Sequence, residues 1–491
     1  MGLLSYSLKK NGLILILSII SVLILNSCRK KEGTDSSGPC YTSSPSDKGS
    51  CTSSGTLTAS NKVPLLMVRV QYNNACFNSD ETTWANKLFG TSEGQMNHYL
   101  AETTYNNYQF TPASESSGCS NDGVITVNMP ENHPNTQKNS WACYAAKAIA
   151  ETDSSVNFAA FDTDSNGYLS ASELQVIFLI AGGESATGLN TPGGVWGMAS
   201  SLLCDVNEDG TYADESGEHG ITLDNVRLLG VNSSYYGQNG YSQFGELHGF
   251  SAGISWDATI GVMAHELGHA YFDLPDLYDT TSASSGIGAF GVMGGGVWGK
   301  KALTEKIGST PVHFSAWSKE KLGVCNPQTV SSGADNYTLA AVYQMIDNTS
   351  SCGIYKASTT TYSTSGEYFL FENRSAGGYD KGMNYLIYDN SSNKVVGTKY
   401  TGGLAVWHID DNQSGNSDYT HKLVDLEEAN DADLDNASSN GRTTHLFYSG
   451  NSVTFDNSST PNSNLYDNTS SGISLTNISA AGDNMTLTIS K

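Results

Sequence analysis

The segment His265-Glu266-Leu267-Gly268-His269-Ala270-Tyr271-Phe272-Asp273-Leu274-Pro275-Asp276 constrains this chain more than any other. Ile260, Met263, Ala264, Leu267 and Tyr271 recur at helical spacing. They predict one buried helix from Trp256 to Tyr271, with Asp257 capping or charging its start. On that helix His265 and His269 stand about 6 Å apart along the axis and about 40° apart around it. Pro275 cannot extend the helix. The fold must therefore bury a helix that carries two imidazoles on one face, and then turn the chain sharply.

Two imidazoles so placed reach one metal ion. Glu266 projects about 100° from His265, beside the ion rather than on it. That suits a general base acting on metal-activated water. Zinc needs a third protein ligand and an open position. Asp273 and Asp276 compete for this role. On a straight helix Asp273 would lie about 12 Å along the axis from His265, too far to converge. Asp276, beyond the turn, is the expected ligand. The plain alternative is a pair of surface histidines, which the apolar helix and the downstream carboxylates disfavour.

The start of the chain reads as an export signal. Lys9 and Lys10 precede an apolar run from Leu13 to Leu25, shorter than the ~20 residues of a membrane span. The run ends at Leu25-Asn26-Ser27-Cys28, which resembles a lipobox and makes Cys28 the expected lipidation site. The expected location is the cell envelope or surface, with the membrane met through the lipid alone. Residues 29–61 form a Ser/Gly-rich linker. Eight further cysteines, an even number in an exported chain, predict disulfides, with Cys40 and Cys51 pairing locally. A formal charge of -24 argues against nucleic acid and anionic membrane as partners.

Between linker and metal helix, Val63 to Val70 reads as a buried strand, Asn97 to Tyr105 as a helix, Gly123 to Met129 as a strand and Trp141 to Glu151 as a helix. The loop from Asp162 to Glu173 has calcium-loop spacing. Asp162, Asp164 and Asn166 stand at positions 1, 3 and 5, and Gly167 makes the turn. Tyr168 offers its carbonyl, Ser170 stands at 9 and Glu173 at 12. The apolar run Leu174 to Ala181 follows, so a structural calcium ion fits better than a paired sensor. A second acidic loop, Asp205 to Gly210, starts similarly but has Ser216 at position 12.

Met263 to Asp279 (MAHELGHAYFDLPDLYD) resembles the immune inhibitor A family of secreted zinc peptidases, which are related to the metzincins. Phe290 to Gly299 (FGVMGGGVWG) resembles the methionine turn of that group, with Met293 beneath the metal. His313 to Gly323, Glu367 to Arg374, Gly402 to Asp410 and Val424 to Asn430 are also similar to the family. Asp276 lies seven residues after His269 rather than six, and Phe272-Asp273 replaces the usual glycine, so one residue is inserted in the turn.

The resemblance implies an α+β zincin/metzincin-like catalytic domain over 62–325, followed by an all-β C-terminal region over 326–491. It also implies a zinc metalloendopeptidase acting on proteins or peptides, with zinc as its cofactor; calcium is expected from the spacing of the 162–173 loop alone. His265, His269 and Asp276 would hold zinc, and Glu266 would be the base. Tyr278 and His313 are weaker candidates for stabilising an oxyanion, and His408 is expected to be a structural strand histidine. The rival reading is a calcium-stabilised surface adhesion module with a vestigial zinc site. Oligomeric state, substrate preference and the role of the C-terminal region are not legible.

Overall fold

A computed structural model of the protein describes residues 55–135, 141–202, 221–228, 240–251, 253–346, 352–359, 365–389, 394–397, 400–430, 432–437 and 439–491. Cys28, the linker to residue 54, Cys204 and the acidic loop at 205–210 lie outside these residues. No helix of the described residues is long and apolar enough to cross a membrane.

The first part of the chain runs β1 (Asn61–Tyr72), α1 (Glu81–Phe89), α2 (Met96–Thr103), β2 (Tyr108–Pro112), β3 (Val124–Met129), α3 (Ala142–Ala150) and β4 (Gln175–Glu184). Then come β5 (Gly194–Val195), β6 (Met198–Ser200), β7 (Ile221–Leu223), β8 (Val226–Leu228), β9 (Tyr241–Ser251), β10 (Ile254–Asp257) and α4 (Ile260–Ala270). The apolar runs of β1 and β4 are buried on both faces, as the middle strands of a sheet should be. They sit in an eight-stranded sheet of order β10-β9-β4-β1-β2, with β3 also on β1, β5 on β4 and β6 on β9. β1, β2, β3, β4 and β9 pair in parallel, whereas β6 and β10 run antiparallel to β9.

Every residue of α4 is buried. A helix apolar on all sides belongs in a core. It starts four residues later than its periodicity predicts. Trp256 and Asp257 instead pair with His248 and Leu247 across the β9–β10 hairpin. Thr259 occupies the N-cap position, and its hydroxyl is turned to the carbonyl of Ile307. Asp257 is a strand residue and caps nothing: the hairpin's backbone bonds outweigh a helical extension that would bury no further apolar stripe.

The chain continues through α5 (Ala316–Lys321), β11 (Gln328–Thr329), β12 (Ala334–Ala340), β13 (Ile354–Ser358), β14 (Glu367–Asn373), β15 (Tyr388–Asp389) and β16 (Lys394–Val395). It ends with β17 (Leu404–Asp410), β18 (Val424–Leu426), β19 (Ser474–Thr476) and β20 (Asn484–Ser490). A five-stranded sheet has the order β11-β13-β14-β17-β18, and a three-stranded sheet the order β12-β20-β19. The architecture is mixed, α+β. One apolar cluster contains Leu267 and Met293 together with Leu370, Trp407 and Leu426, so packing is continuous from α4 into the five-stranded sheet. Cys325 and Cys352 form a disulfide, and Cys76, Cys119 and Cys143 are also disulfide-bonded.

Candidate metal centre

α4 ends in a way that absorbs one extra residue. The N–H of Tyr271 reaches the Leu267 carbonyl normally, and the N–H of Phe272 reaches that same carbonyl, a wider step of five residues. Asp273 then adopts a left-handed backbone at φ 53°, and the N–H of Leu274 reaches back to Gly268. Asp tolerates this conformation better than most residues. The insertion is thus taken up by one π-type turn and one left-handed residue, after which Pro275 carries the chain back across the helix.

This return brings Asp276 to the two histidines. Asp276 Oδ1 stands 3.2 Å from His265 Nε2 and 3.1 Å from His269 Nε2, and the two Nε2 atoms are 3.1 Å apart. Asp273 is not in the group. Asp276 Oδ1 is nevertheless buried without a hydrogen-bond partner. The carboxylate contacts are close but lack hydrogen-bond angles, so we read these atoms as facing a common point rather than one another. Four ligands about 2.0–2.1 Å from a tetrahedral zinc lie about 3.3 Å apart. The observed triangle fits three corners of such a site.

The imidazoles are oriented from behind. His265 Nδ1 lies 2.9 Å from the carbonyl of Val292, and His269 Nδ1 lies 2.6 Å from that of Leu274. A carbonyl only accepts, so both Nδ1 atoms carry hydrogen and both Nε2 atoms point into the cluster. Burial resists charging His265, but the carboxylates of Asp276 and Glu266 raise it to about 9. Asp276 is held well below the usual carboxylate range by the two rings despite its burial. Glu266 is raised, first by burial, and does not join the triangle.

The floor is built by Met293 and a buried charge network. A β-carbon on Gly268 would lie 2.4 Å from Met293 Sδ, so the glycine between the histidines lets this methionine close up under the helix. The Val292 segment is anchored from the C-terminal half. The fully buried Arg374 donates to the carbonyl of Phe290 and pairs with Asp380 and Glu372. Lys319 pairs with Glu372 at 3.2 Å, and the N–H of Val292 donates to the carbonyl of His313. His313 itself is fully buried against Glu102 at 2.8 Å, a structural position away from the metal cluster. His408 is likewise buried, between Glu367 and Glu427.

The cluster opens into a cleft of about 450 Å3. One wall is Trp196 to Ala199, and another is the loop Gln413 to Asp418 between β17 and β18. The side chain of Asn416 pins that loop, donating to the carbonyls of Leu277 and Val424. Tyr278 also lines the cleft, with its ring nearly parallel to that of His265 at 6.1 Å. The sequence places pocket shape in loops such as 182–255, which hold the first wall, but reveals neither its path nor the second wall. One is a short apolar stretch and the other a short polar one, and the role of each depends on which strands carry it.

The loop 162–173 forms a second, separate cluster in which Asp162, Asp164 and Glu173 converge. Its oxygens already have partners. Asp162 accepts from the N–H of Asn166 and Gly167, Asn166 Oδ1 accepts from Tyr168, and Glu173 accepts from Thr163 and Ser170. Leu169 is buried, and Gly167 and Leu169 exchange backbone bonds with Arg227 of β8. The hairpin β7–β8 therefore braces this loop.

Residues 231–325 match the family model of the immune inhibitor A peptidase M6 catalytic domain. The match spans α4, the turn to Asp276, Met293 and His313. It agrees with the resemblance carried by the sequence motifs, and the class it supports is a metallopeptidase. No curated protein matches the chain.

Proposed function

We propose that the chain is an exported zinc metalloendopeptidase, anchored by a lipid on Cys28, that cleaves proteins or peptides in the cleft above His265, His269 and Asp276. The observation that carries this reading is the triangle of two Nε2 atoms and one unpartnered carboxylate oxygen, each 3.1–3.2 Å from the next. When bound there, zinc supplies Lewis acidity to a water molecule and to the substrate carbonyl. Glu266, buried beside the triangle, takes the proton from the attacking water. Its raised affinity for that proton suits it to hold the proton and then deliver it to the leaving amine.

β6 supports an extended substrate. Among the described residues its only strand partner is β9. A peptide lying along Trp196 to Ala199 would add main-chain bonds to this edge. Calcium in the loop 162–173 would stiffen the fold on the far side of β4. Two measurements test the reading: metal analysis of the purified protein, and casein cleavage with and without chelator. One zinc per chain and chelator-sensitive cleavage are expected, and cleavage that survives complete zinc removal would reject it. For the anchor, Cys28→Ala should move the protein out of the membrane fraction.

A further inference from the structure

Behind Glu266 lies a second carboxylate that the reaction above does not use. Glu184 ends β4 and is fully buried. Its Oε1 accepts the N–H groups of Ala186 and Gly197, each at 3.1 Å, and its Oε2 accepts that of Gly245 at 3.0 Å. Gln243 on β9 is also fully buried, and its Nε2 donates to the carbonyl of Trp196 at 2.9 Å. These two side chains hold both polar groups of a single peptide bond, the one joining Trp196 to Gly197.

That bond needs such help. It links β5, which pairs with β4, to β6, which pairs with β9, and it belongs to neither ladder. Backbone groups outside a ladder must find other partners, and here, beside the half-exposed Trp196, two buried side chains supply them. The site is also tight. A β-carbon on Gly197 would stand 3.1 Å from Val262 Cγ1, 3.3 Å from Glu266 Oε1 and 3.4 Å from Glu184 Oε2. The backbone of Gly197 is thus wedged between the proposed base and the buried carboxylate, while Trp196 and Met198 on either side line the cleft.

We propose that Glu184 and Gln243 are positioning residues for peptide cleavage: they clamp the Trp196–Gly197 peptide and so set the cleft wall against Glu266. This rests on the metallopeptidase reading. A wall that is merely part of the fold would affect stability. A wall that aligns substrate affects long peptides, which lie along it, more than short ones.

The test compares Glu184→Gln and Gln243→Leu with the wild type in the full chain loaded with zinc. The readouts are zinc content, Tm, and kcat and KM on an eight-residue peptide and a two-residue chromogenic amide. Gln243→Leu removes the bond to the Trp196 carbonyl and leaves Glu184 in place, so it serves even where Glu184→Gln fails to fold. For variants that keep zinc, kcat/KM on the long peptide should fall on the order of ten- to a hundredfold, mostly through KM, with the short amide changed about twofold or less. Equal losses on both substrates, or no loss on either, would overturn the clamp. A zinc-loaded wild type that cleaves nothing would instead overturn the metallopeptidase reading, and the clamp with it.

Discussion

Two clusters of ligand-type side chains stand in this protein, and they are built on opposite principles. At the end of α4 the three converging atoms are buried, are aimed by carbonyls behind the rings, and include a carboxylate oxygen without a hydrogen-bond partner. In the loop 162–173 the ligand-type residues are half-buried or exposed, and their oxygens take up N–H groups of their own loop. The first arrangement leaves Asp276 Oδ1 without a hydrogen-bond partner and turns both Nε2 atoms toward it. The second is a network of Asx-type turns that holds its shape by itself. Judged by ligand spacing, the loop is the more complete of the two sites. Spacing is therefore a weaker guide than the question of which atoms remain unsatisfied.

The comparison breaks most visibly at the first cluster. Glu266→Gln should retain zinc while lowering casein cleavage on the order of a thousandfold. Near-normal turnover in that variant would mean the base lies elsewhere. Asp276→Asn should lower zinc affinity about ten- to a hundredfold by equilibrium dialysis. Asp273→Asn, at a position that needs a left-handed backbone rather than a ligand, should keep zinc and stability. If the two variants exchange these phenotypes, the third ligand has been misassigned.

Smaller effects sharpen the second cluster. With calcium at a hundred times its Kd, binding would add about 2.7 kcal/mol and raise Tm, and Glu173→Gln should abolish that rise. A Tm indifferent to calcium would make the loop a self-sufficient turn. The least effect expected is on acid stability. Burial works against the charge on Glu173, but donors from Ser170 and Thr163 outweigh it and hold the carboxyl below its ordinary 4.5. A depressed folded value stabilises the protein above pH 4.5, and that contribution is lost as pH falls from there through the folded value. Urea unfolding from pH 5 downward should show this slope, and Glu173→Gln should flatten it.

How far the sequence could be read depended on the range of the interactions. The strands at Val63 and Gln175, the helix through His265 and the loop at Asp162 rest on periodicity or fixed local spacing, and those are properties of contiguous residues. The start of α4 was misplaced because Trp256 and Asp257 answer to β9, a partner that helical periodicity does not register. The second cleft wall was not visible at all. The loop 413–418 reaches the metal cluster only because β17 continues the packing around α4 and Asn416 bonds to Leu277, 139 residues away.

By itself the sequence determined the two imidazoles on one helical face, the Glu266 carboxylate beside them, and the need for a turn before Pro275, since each follows from the rise and twist of a helix and the fixed ring of proline. It also favoured Asp276 over Asp273 as the third group to join the two imidazoles. Only the tertiary structure decided how the extra residue is absorbed: a π-type bond at Phe272 and a left-handed Asp273, both permitted because the burial of Leu274 and Leu277 fixes where the returning chain must lie. It alone also placed Glu184, Gln243 and the loop 413–418 around the cluster, because those contacts join strands that are far apart in sequence.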